Sequence, residues 1–291
     1  MVPSDTPSQS DWSLADSIDL GRYPIDVLTK PEARALIERC REELRDDGCC
    51  HLKGFLTEAA VARSAAMAEA LEGQAFRNTT RHNVYITADD PSLPAEHPVR
   101  RFQTRTQGFI CADLIPAESD IRRLYETKAM TGFLSACLEI APIYRSADPV
   151  ACMPISVQRP GEVFPWHFDG NEFTITIALQ GAEEGGLFEY APNIRSPENE
   201  NYEAVRRVLD GDRGPVRQLA LKAGDLQIFL GRYSMHRVTA VRGAKTRFIA
   251  APAWMRVPNY VNSVERVIDG YGRASAVHHQ RAAESEDGLR G

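Results

Sequence analysis

Along the first half of the chain, apolar residues return every three or four positions. Ala33, Leu36, Ile37, Cys40 and Leu44 share one helical face, with Thr29 and Glu32 in a capping-box pattern before them and Gly48 after them. A short strand is predicted over 50–55, and Thr57 then caps an alanine-rich helix running to about Leu71. A third helical stretch carries Met130, Phe133, Leu134, Cys137 and Leu138 on one side. From residue 152 the period changes. Short apolar or alternating runs over 152–158, 173–180, 187–191, 216–222, 226–230, 237–241 and 246–254 are separated by turn residues. So many short strands in so short a span predict an antiparallel barrel or jelly roll, with the earlier helices packed against it as supports.

One interruption is too long for a hairpin. Residues 193–214 are highly charged and hold a short helical pattern at Tyr202, Val205, Val208 and Leu209, which fits either a lid over a site or a surface insertion. The ends, 1–15 and 272–291, are small, polar and aperiodic and are expected to be flexible tails, with His278 and His279 solvated. The expectation is one domain over 16–271, its helical support at about 16–150 and its β core at about 151–256.

Charge narrows the partners. Lys and Arg total 34 against 40 Asp and Glu, for a net charge of −6 with no basic stripe, which argues against nucleic acid. No apolar run approaches the roughly 20 residues that cross a bilayer, and the amino terminus lacks the basic-then-apolar pattern of a leader, so a cytoplasmic protein with no membrane partner is expected. The six cysteines form no C-x-x-C pair and are expected to be reduced packing residues.

The candidate chemistry begins at Phe164-Pro165-Trp166-His167-Phe168-Asp169. On an extended segment His167 and Asp169 point to the same side, so a strand end can offer an imidazole and a carboxylate to one ion. A later segment, from Gly224-Asp225 through an apolar strand to His236, provides a third donor if the sheet rolls up. Two imidazoles and one carboxylate leave three adjacent coordination positions free, an arrangement suited to iron(II) activating O₂. Arg247 follows eleven residues later, flanked by apolar Phe248, Ile249, Ala250 and Ala251. A guanidinium on a buried strand is expected to meet a carboxylate through paired hydrogen bonds, whereas Arg242 and Arg256 read as solvated.

This ordered set, His-x-Asp, a distal His, then Arg, resembles the iron(II)/2-oxoglutarate-dependent oxygenase superfamily over about residues 155–254. The resemblance implies a double-stranded β-helix core, jelly-roll or cupin-like, with Fe(II) on His167, Asp169 and His236. It further implies 2-oxoglutarate and O₂ as co-substrates, with the distal carboxylate of 2-oxoglutarate on Arg247. Asn83-Val84-Tyr85, the Asp90 to Pro94 run, Pro165-Trp166-His167-Phe168, the Gly185 to Tyr190 run and Ile194-Arg195-Ser196 resemble the group of radical halogenases and hydroxylases of free amino acids such as lysine. Halogenases of that group carry Gly or Ala where this chain has Asp169, so the resemblance implies hydroxylation of a C–H bond in a small polar metabolite, a free amino acid or a derivative. Phe164 and Gly170 stand at positions that are polar in the lysine-type relatives, which puts lysine itself in doubt.

Further candidates are Thr176 and Gln158, expected to point inward and help hold 2-oxoglutarate. Arg101 and Arg105 are candidate ligands for a substrate carboxylate, and Phe164 and Trp254 for a substrate wall. The same radical chemistry admits desaturation or cyclisation. Two other classes remain open at this point: a non-redox metal-dependent isomerase or hydrolase on the same barrel, and a barrel that binds a ligand without turning it over.

Overall fold

The computed structural model describes residues 12–285. Among them, two antiparallel sheets face each other. The larger has seven strands in the order Cys49–Leu52, Leu226–Phe229, Thr174–Gln180, Arg247–Ala250, Ile155–Gln158, Gln103–Ile110 and Phe76–His82. The smaller has four, in the order Arg217–Leu219, Phe188–Ala191, Met235–Val238 and Phe164–His167. Strands distant in sequence alternate within and between the sheets, the winding of a double-stranded β-helix, and the architecture is mainly β with flanking helices.

The helices cover the outer face of the larger sheet. Pro31–Asp47 turns Leu36, Ile37, Cys40 and Leu44 into a core shared with Leu52, Leu124, Phe133, Leu134, Ile155, Ile175, Leu226 and Phe248. Each such side chain removed from water stabilises the fold by roughly 1.5–3 kcal/mol. Lys30, not Thr29, occupies the N-cap of that helix, because Pro31 is already pre-set for its first turn; Gly48 ends it at φ 64°. Thr57 caps Glu58–Leu71 as expected, its hydroxyl accepting from the Ala60 N–H. The six cysteines are all free and buried.

Among the strands not predicted are Phe76–His82 and Gln103–Ile110, which pair in register from Phe76–Phe109 to His82–Gln103. Their sequences lack apolar alternation because one face of this hairpin presents Arg105 and Gln107 inward. Residues 193–214 carry a short helix, Tyr202–Leu209. Val205 and Val208 of the Tyr202–Leu209 helix are buried with Val84, Trp166, Phe168, Ala191 and Met235 in a separate cluster.

The expected flexible tails are corrected where the structure describes them. Leu14–Asp16 is a short 3-10 helix, and Ala276–Ser285 is helical. His278 is buried, not solvated: its Nδ1 accepts from the Ser275 backbone N–H at 3.0 Å, and its Nε2 lies 3.1 Å from Asp148 Oδ2. A buried carboxylate draws the imidazole in, and with it the segment that carries it. The remainder of both predicted tails, 1–11 and 286–291, lies outside the described residues. No helix among the described residues is long and apolar enough to cross a membrane.

Candidate metal centre

Alternation along the Phe164–His167 strand and the two residues after it sorts the side chains. Trp166 and Phe168 point to the outer cluster, where Tyr85 stacks on Phe168 with ring centroids 5.5 Å apart and Arg195 lies 3.8 Å over its ring. His167 and Asp169 point inward. Met235–Val238 pairs antiparallel with this strand and puts His236 directly opposite His167. The register, therefore, delivers the third donor.

Asp169 Oδ1 lies 3.7 Å from His167 Nε2 and 3.4 Å from His236 Nε2, and the three donor atoms fall within 4.8 Å of one another. The remote ring nitrogens are fixed by backbone: His167 Nδ1 lies 2.9 Å from the Pro165 carbonyl oxygen, and His236 Nδ1 lies 3.0 Å from that of Ser234. Since a carbonyl only accepts, both Nδ1 atoms carry a proton and both Nε2 atoms face Asp169, the ring nitrogens left for a metal. Asp169 Oδ2 is turned away and accepts from the Thr174 hydroxyl at 2.6 Å. Gly231 leaves the space for it, because a Cβ there would stand 2.0 Å from Oδ2.

Electrostatics agree with this assignment. Burial, reinforced by His236, drives the His167 imidazole well below its ordinary range, so it is neutral. Burial alone would raise the Asp169 carboxyl, but His236, His167 and the Thr174 hydroxyl hold it below the usual carboxylate range. A neutral His167, a second imidazole from His236 and an ionised carboxylate, converging in a cavity, fit a divalent first-row metal such as iron(II). Phe164 stacks on His167 at 3.9 Å and 11°, and Phe229 meets His236 edge-on at 4.8 Å, so both rings are held by packing as well.

The donors open into a cavity of about 200 Å³, whose wall includes Thr174, Thr176, Phe188, Gln227, Phe229 and Arg247. Arg247 is buried and donates from Nη1 to Gln158 Oε1 at 2.7 Å, with no carboxylate partner among the described residues. Desolvation pushes its pKa down to about 10, the mark of a cation lacking a counter-charge. The cavity thus has metal donors at one end and an unneutralised guanidinium at another, which fits a 2-oxo diacid spanning the two.

Other candidates divide. Thr176 lines the cavity and donates to Gln227 Oε1 at 3.0 Å; Gln158 acts on Arg247, and its own amide nitrogen is buried without a partner. Arg105 lies 5.6 Å over the Phe164 ring and 6.0 Å from that of Phe109, both cavity residues. Arg101 is elsewhere, paired with Asp210 of the insertion at the surface. Trp254 does not reach the metal cavity: it is buried in the main core, donates to Thr131 at 3.0 Å and borders a neighbouring cavity. Sequence reading missed Thr174 and Gly231, which hold the Asp169 carboxylate. Thr174 stands five residues beyond Asp169 at the start of a strand, a cue available but unspecific.

Solved structures share this fold. The non-heme alpha ketoglutarate dependent epimerase SnoN from nogalamycin biosynthesis is 16% identical, with a TM-score of 0.53 over 76% of this chain and 81% of its own. The carbocyclase SnoK from the same biosynthesis is 17% identical, with a TM-score of 0.52 over 75% and 83%. AviO1 from Streptomyces viridochromogenes Tue57 is 18% identical, with a TM-score of 0.50 over 76% and 95%. The fold is that of non-heme 2-oxoglutarate oxygenases. No curated protein matches the chain in sequence. The family described as HalD, Halogenase D, matches residues 32–266, and the chain belongs to it.

Proposed function

We propose that this protein is an iron(II)- and 2-oxoglutarate-dependent dioxygenase that hydroxylates an unactivated C–H bond of a small carboxylate-bearing metabolite, a free amino acid or derivative. The observation that carries the reading is the convergence of His167, Asp169 and His236 with an unpaired Arg247 in one cavity. Iron(II) and 2-oxoglutarate would activate O₂, the oxidant, one oxygen atom leaving in succinate as CO₂ is lost and the other passing to the substrate C–H bond as hydroxyl. His167, Asp169 and His236 would hold the ion, and Arg247, hydrogen-bonded to Gln158, would take the far carboxylate of the 2-oxo acid. Thr174 and Gly231 keep Asp169 in place, and Phe164, Phe188 and Phe229 exclude water around the donors.

Asp169 decides between outcomes within the family. Its carboxylate faces both imidazoles and is supported by a dedicated hydroxyl and a glycine-sized gap, so a halide has no vacated ligand position to take. Oxygen return to the substrate is favoured over chlorination. The test is an aerobic screen of amino acids and related carboxylates with iron(II), 2-oxoglutarate and chloride, scoring substrate-stimulated succinate and product mass. A gain of one oxygen atom is expected; a chlorinated product, or turnover that proceeds without O₂, refutes the assignment.

A further inference from the structure

A second cavity, of about 180 Å³, adjoins the metal cavity through shared walls at Phe109, Thr174 and Ala251. Its remaining wall includes Asn171, Trp254, Asn262, Arg266 and Tyr271. Arg266 comes from the Val264–Tyr271 helix and pairs with no carboxylate among the described residues. Its guanidinium fills the place a side chain at Gly170 would take: a Cβ there would lie 3.3 Å from Nη2 and 3.5 Å from Nη1. Gly170 directly follows Asp169, so this cation is held one residue from the metal donors.

Arg105 lies outside this cavity's wall, over the rings of Phe109 and Phe164, with its Nε buried and its Nη2 donating to Asn78 Oδ1 at 3.3 Å. Tyr271 packs against Phe109, ring centroids 5.3 Å apart. Burial and the Asp148 charge push its phenol up to about 12 while Arg266 and Arg105 pull it down, which puts both guanidinium groups within electrostatic reach of this one hydroxyl. Among the residues lining the two cavities, the one carboxylate is Asp169, which faces the metal position. The second cavity is therefore walled by one cation without a carboxylate partner, Arg266, together with amide and aromatic side chains. A cation at a cavity wall that pairs with no carboxylate attracts an anion and repels an ammonium group by the same Coulomb energy.

We propose that the second cavity is the subsite for the substrate's carboxylate, anchored by Arg266, and that the segment entering the metal cavity is uncharged and largely apolar. The inference rests on the oxygenase reading above. It assigns Arg266 as a specificity-determining residue and excludes substrates that carry a second ammonium on the reacting side chain, because no acidic side chain is present to receive it.

The experiment uses two probes of one shape, 4-methylpentanoate and 4-methylpentylamine, titrated under nitrogen into protein loaded with iron(II) and 2-oxoglutarate, so that Arg247 is already engaged. Binding is read from perturbation of the visible charge-transfer band of the iron chelate. The carboxylate is expected to bind at least about tenfold more tightly than the amine, and Arg266→Glu to abolish that preference while the band of the loaded protein is unchanged. Arg266→Lys should restore part of it. Equal binding of the two probes, or unaltered carboxylate affinity in Arg266→Glu, overturns the proposal. If the chelate band never forms, the iron and 2-oxoglutarate reading fails by itself; calorimetric titration of the same probes still ranks carboxylate against amine and decides the subsite independently.

Discussion

Arg247 gives a hydrogen bond to the Gln158 side-chain oxygen at 2.7 Å and meets no carboxylate of the described residues, although it is buried. A desolvated cation with one neutral acceptor is a cost to the fold and an opportunity for a ligand. Arg247→Met should therefore move two quantities in opposite directions. The variant without co-substrate should melt no lower than the wild type, because an uncompensated charge has gone. Its apparent Michaelis constant for 2-oxoglutarate should rise by roughly 30-fold or more, the equivalent of about 2–5 kcal/mol for a buried pair losing a partner. Thermal melting with and without 2-oxoglutarate, beside steady-state kinetics, checks both. Undiminished 2-oxoglutarate affinity would remove Arg247 from the site.

The gap at Gly231 offers a cleaner probe of Asp169 than replacing Asp169 itself. A methyl group at position 231 would stand 2.0 Å from Oδ2, so Gly231→Ala must displace the carboxylate from its position beside the imidazoles. Thr174→Val removes the hydroxyl that holds the same oxygen, with little change of volume. Iron(II) affinity should fall about 10–100-fold in the threonine variant, the usual loss when a ligand's supporting hydrogen bond is removed, and further in the glycine variant. Metal titration followed by calorimetry measures it, and full-strength binding in Gly231→Ala would show that Asp169 is not a ligand.

What could be read from the chain before its fold was known follows a physical division. His167, Asp169, His236 and Arg247 stood out because each is a charged or coordinating group next to apolar residues, Trp166, Phe168, Met235, Phe248, and that contrast is local in sequence. The barrel was legible for the same reason, since its later strands are apolar runs. The Phe76–His82 and Gln103–Ile110 hairpin was not, because polar side chains such as Arg77, Asn78, Gln103, Arg105 and Gln107 fill its buried and half-buried positions and leave no hydrophobic alternation; only its threonines, Thr79, Thr80, Thr104 and Thr106, favour a strand. Supports such as Thr174, Gly231 and Arg266 act across long sequence separations, and no local pattern marks them.

Arg101 and Arg105 stand four residues apart and read alike in sequence, yet they have different surroundings. Arg101 pairs at the surface with Asp210, while Arg105 lies against two cavity aromatics with a buried, unpartnered Nε. Exposed ion pairs contribute about 0–1 kcal/mol, so Arg101→Ala should leave stability and substrate kinetics nearly as they were. Arg105→Gln should raise the Michaelis constant of a carboxylate substrate while leaving that of 2-oxoglutarate unchanged. Side-by-side kinetics of the two variants check the contrast, and a larger effect from Arg101 would reverse the assignment.

Asp148 organises the carboxy-terminal segment. Its Oδ1 accepts from the N–H groups of Val150 at 2.9 Å and Ala151 at 2.8 Å, and its Oδ2 accepts from the Asn262 backbone at 3.1 Å and side chain at 2.8 Å, with His278 Nε2 3.1 Å away. Burial alone would raise this carboxyl, but the Asn262 side chain and the backbone donors outweigh it and hold the group below its ordinary value. A carboxyl whose pKa is lower folded than unfolded contributes stability above the unfolded value and loses it as pH falls through the folded one. Asp148→Asn keeps the shape but turns an acceptor into a donor opposite an N–H, at a cost of about 1–3 kcal/mol for the group left unsatisfied. The melting temperature of the variant should therefore lie below that of the wild type by a constant margin at neutral pH, and the margin should close below about pH 4 as Asp148 itself protonates. Thermal melts of both proteins from pH 7 to about pH 3 test this linkage. Hydrogen exchange at neutral pH should show the Ala276–Ser285 helix opening first in the variant. A margin that stays constant into acid would mean that the charge on Asp148 does not hold this segment, and that its shape alone does.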